Sequence, residues 1–146
     1  MITIAAISCT DIKDQPELLA EYAAECSIPA LGPISPQWEM YAALQQAGAL
    51  KVYAVYANEA MVGFSAVLHH VLPHYGALVG VVESLFVAKS HRRTSAGRNL
   101  MHAIEAGARQ AGCKAIVYAA PAGGQLEAVL GKRYPRTGSS YCKPLG

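Results

Sequence analysis

Residues 80–101 read GVVESLFVAKSHRRTSAGRNLM. An apolar run with one carboxylate, Glu83, gives way to a polar stretch and then to a helical pattern. Gly80 to Val87 is strongly apolar, with three valines, Leu85 and Phe86, and predicts a strand. From Ala96 to Ala111 the small and apolar residues recur at Ala96, Leu100, Ala103, Ile104, Gly107 and Ala111, the spacing of one helical face. Glu105 and Arg109 form an i,i+4 pair on the opposite face, and Gly112 ends the helix. Between strand and helix, Arg92, Arg93 and Arg98 fall within seven residues, among the small residues Ser95, Ala96 and Gly97.

A strand that turns through small residues into a helix is suited to bind an anion. The first turn of a helix leaves its N–H groups without internal acceptors, and the macrodipole adds about half a positive charge there. Gly97 costs about 1 kcal/mol relative to alanine inside a helix, a cost explained by close approach of a ligand to the backbone. Arg92, Arg93 and Arg98 can neutralise phosphate at the rim. The competing reading is a solvated basic loop before an ordinary helix. Two other phosphate motifs are absent: there is no G-x-x-x-x-G-K-[ST], and no G-x-G-x-x-G after the first strand.

Upstream, Ile2 to Ser8 predicts a strand. Asp14, Pro16 and Glu17 predict a helix N-terminus with Asp14 as its cap, and Leu18, Tyr22 and Cys26 share the helix's buried face. A proline-rich loop follows, then a helix from about Pro36 to Gln46 that stops near Gly48. Leu50 to Ala57 and Met61 to Leu72 predict a hairpin turning at Asn58-Glu59, and Pro73 to Gly76 a second turn. Downstream, Ala115 to Ala119 predicts a buried strand. A loop at Pro121 to Gly124, a short helix to about Lys132 and one last edge strand in the tail complete the chain. The order is a meander of antiparallel strands leading into a β-α-β unit. It predicts a single α/β (α+β) domain over residues 1–146, with a mixed, mostly antiparallel sheet and helices on both faces.

The totals agree with one packed domain. The chain has 146 residues, 53% hydrophobic and 15% charged, enough apolar material for a real core. Twelve basic against ten acidic residues leave a net charge of +2, too weak to argue for a nucleic-acid partner. Cys9, Cys26, Cys113 and Cys142 match no zinc or C-x-x-C spacing and predict reduced, mostly buried thiols in a cytoplasmic protein. No basic n-region opens the chain, and no apolar run reaches the roughly 18–20 residues that would span a membrane.

At this point the sequence resembles the GNAT superfamily of N-acetyltransferases. The family's signature is Q/R-x-x-G-x-G/A after an apolar strand, and Arg92-Arg93-Thr94-Ser95-Ala96-Gly97 stands in its place. Ser95 replaces the first glycine, and serine fits a positive φ less easily. The resemblance extends through ESLFV, the hairpin YANEAMVGFSAV, the following helix and AIVYA, covering roughly residues 50–143. It implies the GNAT-like sheet and acetyl-CoA as co-substrate, held where the strands at 81–87 and 115–119 splay. Leu85, Phe86 and Val87 would offer backbone groups to the pantetheine, and the backbone of Arg92, Arg93, Thr94, Ser95, Ala96, Gly97 and Arg98 would cradle the pyrophosphate.

The resemblance also implies a reaction, acetyl transfer to a primary amine of a small molecule or peptide by direct attack on the thioester. An alkyl ammonium has a pKa near 10.4, so freeing its lone pair at pH 7 costs about 4–5 kcal/mol. A general base assists, and some members carry a glutamate at the place of Glu83. Glu83 is expected to be buried on one face with Val81, Leu85 and Val87, which would raise its pKa; the alternative is a structural carboxylate. The leaving thiolate takes a proton from a tyrosine in some members. One alignment of the tail makes Tyr134 that acid; another places Tyr141-x-Lys143 in a closing strand; and water can also serve. His69, His70 and His74 lie on strand and turn and predict no metal site, although they could border the acceptor. Trp38, Tyr41 and the loop before them could line the acceptor pocket too, with ordinary packing the stronger reading for Trp38. A non-catalytic CoA-binding sensor or scaffold is the alternative function, and the final edge strand leaves a homodimer possible.

Overall fold

A computed structural model describes residues 1–146. The elements run β1 (Ile2–Ala6), α1 (Cys9–Lys13), α2 (Pro16–Cys26), α3 (Trp38–Gln46), β2 (Leu50–Ala57), β3 (Ala60–Leu72), β4 (Ala77–Val87), α4 (Ala96–Gln110), β5 (Ala115–Val117) and α5 (Gln125–Arg133). The sheet order is β1-β2-β3-β4-β5, antiparallel except for the parallel pair β4-β5. This is the mixed, mostly antiparallel sheet read from the sequence.

Each face of the sheet carries its own core. Leu50, Val52, Ala54, Phe64, Ala66 and Phe86 pack under α1, α2 and α3. Tyr53, Val55, Val67 and Val82 meet Ala96, Leu100 and Ile104 of α4 on the other side. Of the predicted α4 face, Ala96, Leu100 and Ile104 are buried, Ala103 and Gly107 half-buried and Ala111 exposed; Met101 and Ala108 complete the buried stripe, and Gly112 takes φ 81° after the helix. Gly107 lets α4 lie close on the sheet, because a Cβ there would overlap the Tyr53 hydroxyl. The β2-β3 turn falls at Asn58, which adopts φ 58°.

Two expectations fail at the ends of the chain. Asp14 does not cap the long helix; it is the C-cap of α1, an additional short helix. Ser8 and Asp11 form a reciprocal capping box on α1, while α2 starts at Pro16 with no side-chain cap. Proline at N1 needs no donor, so α2 begins without one. Residues 134–146 form no strand, so the expected closing edge, and with it that support for a homodimer, is missing. The tail contains Pro135, Gly138 and Pro144, which break a ladder rather than extend one.

Gly107→Ala gives a stability test. Alanine gains about 1 kcal/mol of helix propensity, but overlap in a packed site costs about 1–3 kcal/mol. The substitution should lower the melting temperature in the parent chain and raise it in a Tyr53→Phe background; the same sign in both backgrounds would disprove the contact.

Candidate active site

The site begins with one extra residue in β4. Ala66 of β3 pairs with Ser84 and the adjacent Val67 pairs with Val82, so Glu83 is the surplus residue of a bulge. Two buried serines hold it. The Ser65 hydroxyl donates to the Ser84 carbonyl at 2.6 Å, and the Ser84 hydroxyl accepts from the Ala66 amide at 3.0 Å. A bulge shifts the side-chain alternation by one. Val82 packs on the α4 side, yet so do Leu85 and Val87, while Phe86 packs under α2.

Glu83 therefore does not share a face with Leu85 and Val87, and it is exposed rather than buried. It sits under α3, where the Tyr41 hydroxyl donates to its Oε1 at 2.5 Å. Trp38, Tyr41 and Leu44 recur on one face of α3 and pack towards the sheet, which aims Tyr41 at the bulge. Gln45 fixes the helix ends by accepting from the Cys9 amide and donating to the Ile7 carbonyl. Burial, and after it the bond to Glu83, pushes the Tyr41 pKa well above the usual phenol value. Tyr22 is pushed up to about 12 by burial, then by Cys26 and Glu83.

Two cavities flank this region of the sheet and share one lining residue, Cys26. The larger, about 590 Å³, lies between the α1–α3 layer and the sheet, with Glu83, Ser84, Tyr22 and Tyr41 on its wall. The smaller, about 290 Å³, lies between Leu85 of β4 and the loop and helix start at Pro121–Leu126. The smaller cavity follows from the sheet: β5 pairs with β4 only at Val79, Gly80 and Val81, so the rest of β4 has no partner on that side. The strands part where the sequence placed the splay.

At the start of α4, the N–H groups of Arg93, Ser95, Gly97 and Arg98 have no acceptor in the chain. Those of Arg92, Thr94 and Ala96 are bonded, to the Lys89 carbonyl, the His91 carbonyl and the Thr94 hydroxyl. Ser95 adopts φ −77° and ψ 3°, so this position demands no glycine. A Cβ on Gly97 would meet nothing within 4 Å, leaving its backbone open to approach. Arg93 and Arg98 are exposed. Arg92 is occupied: it donates to both Glu25 carboxylate oxygens at 2.7 and 2.8 Å and to the Val87 carbonyl at 2.8 Å, and lies over the Phe86 ring. It ties the end of α2 to the end of β4. These donors fit a diphosphate through main-chain N–H groups with two arginines at the rim.

Tyr134 is not brought to Glu83. Its hydroxyl and that of Tyr118 both donate to Glu105 Oε2 at 2.7 Å, the two rings stack, and Tyr134 lines neither cavity. Burial works to raise the Glu105 pKa, but the two phenols, Arg109 and Arg133 hold it below the usual range. No group of three or more His, Cys, Asp or Glu could hold a metal. His69 is buried and its pKa is lowered by burial, then by Lys51; none of His69, His70 and His74 borders either cavity. All four cysteines are free, but only Cys9 is buried. Trp38 and Tyr41, with the loop before them, line the larger cavity, as the sequence suggested; sequence reasoning missed Tyr22, Cys26 and Ser84 as site residues. Tyr22 carries a readable signal, an aromatic at a core-facing helical position; the serine pair, 19 positions apart, carries none.

The family model of the acetyltransferase (GNAT) family matches residues 17–129. No curated protein matches the chain. Among solved structures the chain is similar to a ribosomal-protein-alanine N-acetyltransferase from Brucella melitensis biovar Abortus 2308, with 22% identity over 100% of both chains and a TM-score of 0.76. It is similar to an aminoglycoside acetyltransferase from an uncultured soil metagenomic sample, with 16% identity over 98% and 97% of the two chains and a TM-score of 0.76. It also resembles AAC(6')-Iy in complex with the bisubstrate analog CoA-S-monomethyl-acetylneamine, with 16% identity over 98% and 97% and a TM-score of 0.74. At these identities the likeness is one of fold.

Ser84→Ala removes the acceptor of the buried Ala66 amide. Leaving such a donor unpaired costs about 1–3 kcal/mol. Urea unfolding should show that loss; an unchanged midpoint would mean that the serines do not hold the bulge.

Proposed function

The chain belongs to the GNAT acetyltransferase family, and from that premise we propose that it is an acetyl-CoA-dependent N-acetyltransferase acting on a primary amine. One observation carries the reading: the cavity with Glu83 on its wall and the cavity in the strand splay share Cys26, so two ligands entering from different sides would meet there. The N–H groups of Arg93, Ser95, Gly97 and Arg98, with the Arg93 and Arg98 side chains, would hold the diphosphate. Backbone groups of Leu85, Phe86 and Val87, on the part of β4 that β5 leaves unpaired, would take the pantetheine arm. Acetyl-CoA supplies the activated acetyl group.

The chain's own chemistry is proton handling. Glu83 accepts a proton from the entering ammonium, directly or through water, and so supplies the free lone pair. Tyr41 fixes the carboxylate through its hydrogen bond and stays a neutral donor, since its raised pKa keeps the phenol protonated at neutral pH. Tyr134, held by Glu105 outside both cavities, has no part in this scheme; the thiolate takes its proton from water or from the hydroxyl of Tyr22 on the wall of the larger cavity.

Glu83→Gln tests the base. Loss of a positioned base costs about 10²-fold or more in rate. Turnover with acetyl-CoA and an amine acceptor should fall by that much while calorimetry finds the acetyl-CoA Kd unchanged, and Tyr134→Phe should stay within about twofold of the parent. Undiminished turnover in Glu83→Gln would remove the assignment; a parent chain that binds acetyl-CoA and transfers to no amine would indicate a binding domain instead.

A further inference from the structure

The wall of the larger cavity selects among amines. Glu83 is its one carboxylate, and it has no arginine, lysine or histidine. Sixteen of its 23 lining residues are hydrophobic, so few polar groups are available to a guest. The apolar lining continues outward onto the lip: Leu31 is 71% exposed, Met40 63% and Ile28 50%, large apolar surface left in water at the entrance. The aromatic rings of Trp38 and Tyr41 lie 5.8 Å apart on the same wall, and Tyr41 is bonded to Glu83.

Four amine classes meet this wall differently. A polyamine or an aminoglycoside brings several ammonium groups, of which one can pair with Glu83; the others would be desolvated against hydrocarbon, and an unpaired buried charge is costly. A free amino acid brings a carboxylate, and the cavity has no cation to receive it. A peptide N-terminus brings amides whose donors and acceptors outnumber the polar side chains on this wall. An amine with one charge and an aromatic or aliphatic body leaves nothing unpaired: its nitrogen reaches Glu83 and its body buries the lip. About 590 Å³ is ample for a body of one or two rings.

We infer that the acceptor is a hydrophobic primary monoamine, of the arylalkyl or medium-chain alkyl class, with its nitrogen at Glu83 and its body between Trp38, Tyr41 and the Ile28–Met40 lip. The inference rests on the transferase reading above. In the reaction one C–N bond forms and the thioester C–S bond breaks. Of the two protons the ammonium gives up, one leaves with the thiol and one is released to solvent.

The test is thiol release by the full chain under saturating acetyl-CoA, with 2-phenylethylamine, octylamine, spermidine, kanamycin, phenylalanine and an alanine-terminated tetrapeptide. The value of kcat/KM for 2-phenylethylamine or octylamine should exceed those of the other four by at least about 100-fold, the selectivity of a site that leaves a buried polar group unpaired in the wrong ligand. Leu31→Glu, at an exposed position where folding is undisturbed, should narrow the ratio of 2-phenylethylamine to spermidine by about tenfold, since it adds a second carboxylate to the lip. Faster turnover of spermidine, kanamycin, phenylalanine or the peptide would overturn the inference and leave the transferase reading intact. An unchanged ratio in Leu31→Glu would overturn the placement of the amine body. No thiol release with any amine would overturn the transferase reading itself.

Discussion

One surplus residue in β4, pinned by two buried serines, governs the rest of the structure. Without Glu83 as a bulge, β4 would keep its alternation, and Glu83 would lie on the α4 side with Leu85 and Val87. With it, the carboxylate turns under α3 and meets Tyr41, on the face where Phe86 joins Phe64 and Tyr22. Bulges also sharpen local twist, which draws the end of β4 away from its neighbour. The parallel partner β5 follows only as far as Val81.

The charges near that opening are divided between structure and ligand. Arg92 is spent on structure: bonded to Glu25 and to the Val87 carbonyl, it buckles the end of α2 to the end of β4 across the smaller cavity. Arg93 and Arg98, together with four main-chain N–H groups, remain for an anion. Main-chain donors fixed by a helix need no reorganisation when a ligand arrives, which is why small residues matter more there than extra cations. On the wall of the larger cavity Glu83 is the single formal charge, among mostly aromatic and aliphatic side chains.

What could be read from the residues follows the strength of local patterns. The α4 face, the Gly112 stop, the Asn58 turn and the strand-to-helix corner were legible because each depends on residues within a few positions of one another. The family motif named the corner, and the geometry then sorted its residues, setting Arg92 apart from Arg93 and Arg98. The bulge was not legible. Period-two alternation assumes an unbroken pleat, and the hydroxyls that break it belong to two strands. Burial of Glu83 was inferred from that same alternation and failed with it. Ser8-Cys9-Thr10-Asp11 is a readable capping box, but the stronger proline signal at Pro16 drew the helix start to Asp14. Tyr134 went to Glu105 because a phenol beside a carboxylate on the next helix satisfies both groups, a long-range pairing with no signature in the tail.

The most direct measurement is an amide NMR titration of the full chain with acetyl-CoA. The account requires the largest shifts at the free N–H groups of Arg93, Ser95, Gly97 and Arg98 and along Leu85 to Val87, with His70 to Tyr75 unmoved. Shifts that bypass the start of α4, or none at millimolar acetyl-CoA, would contradict it.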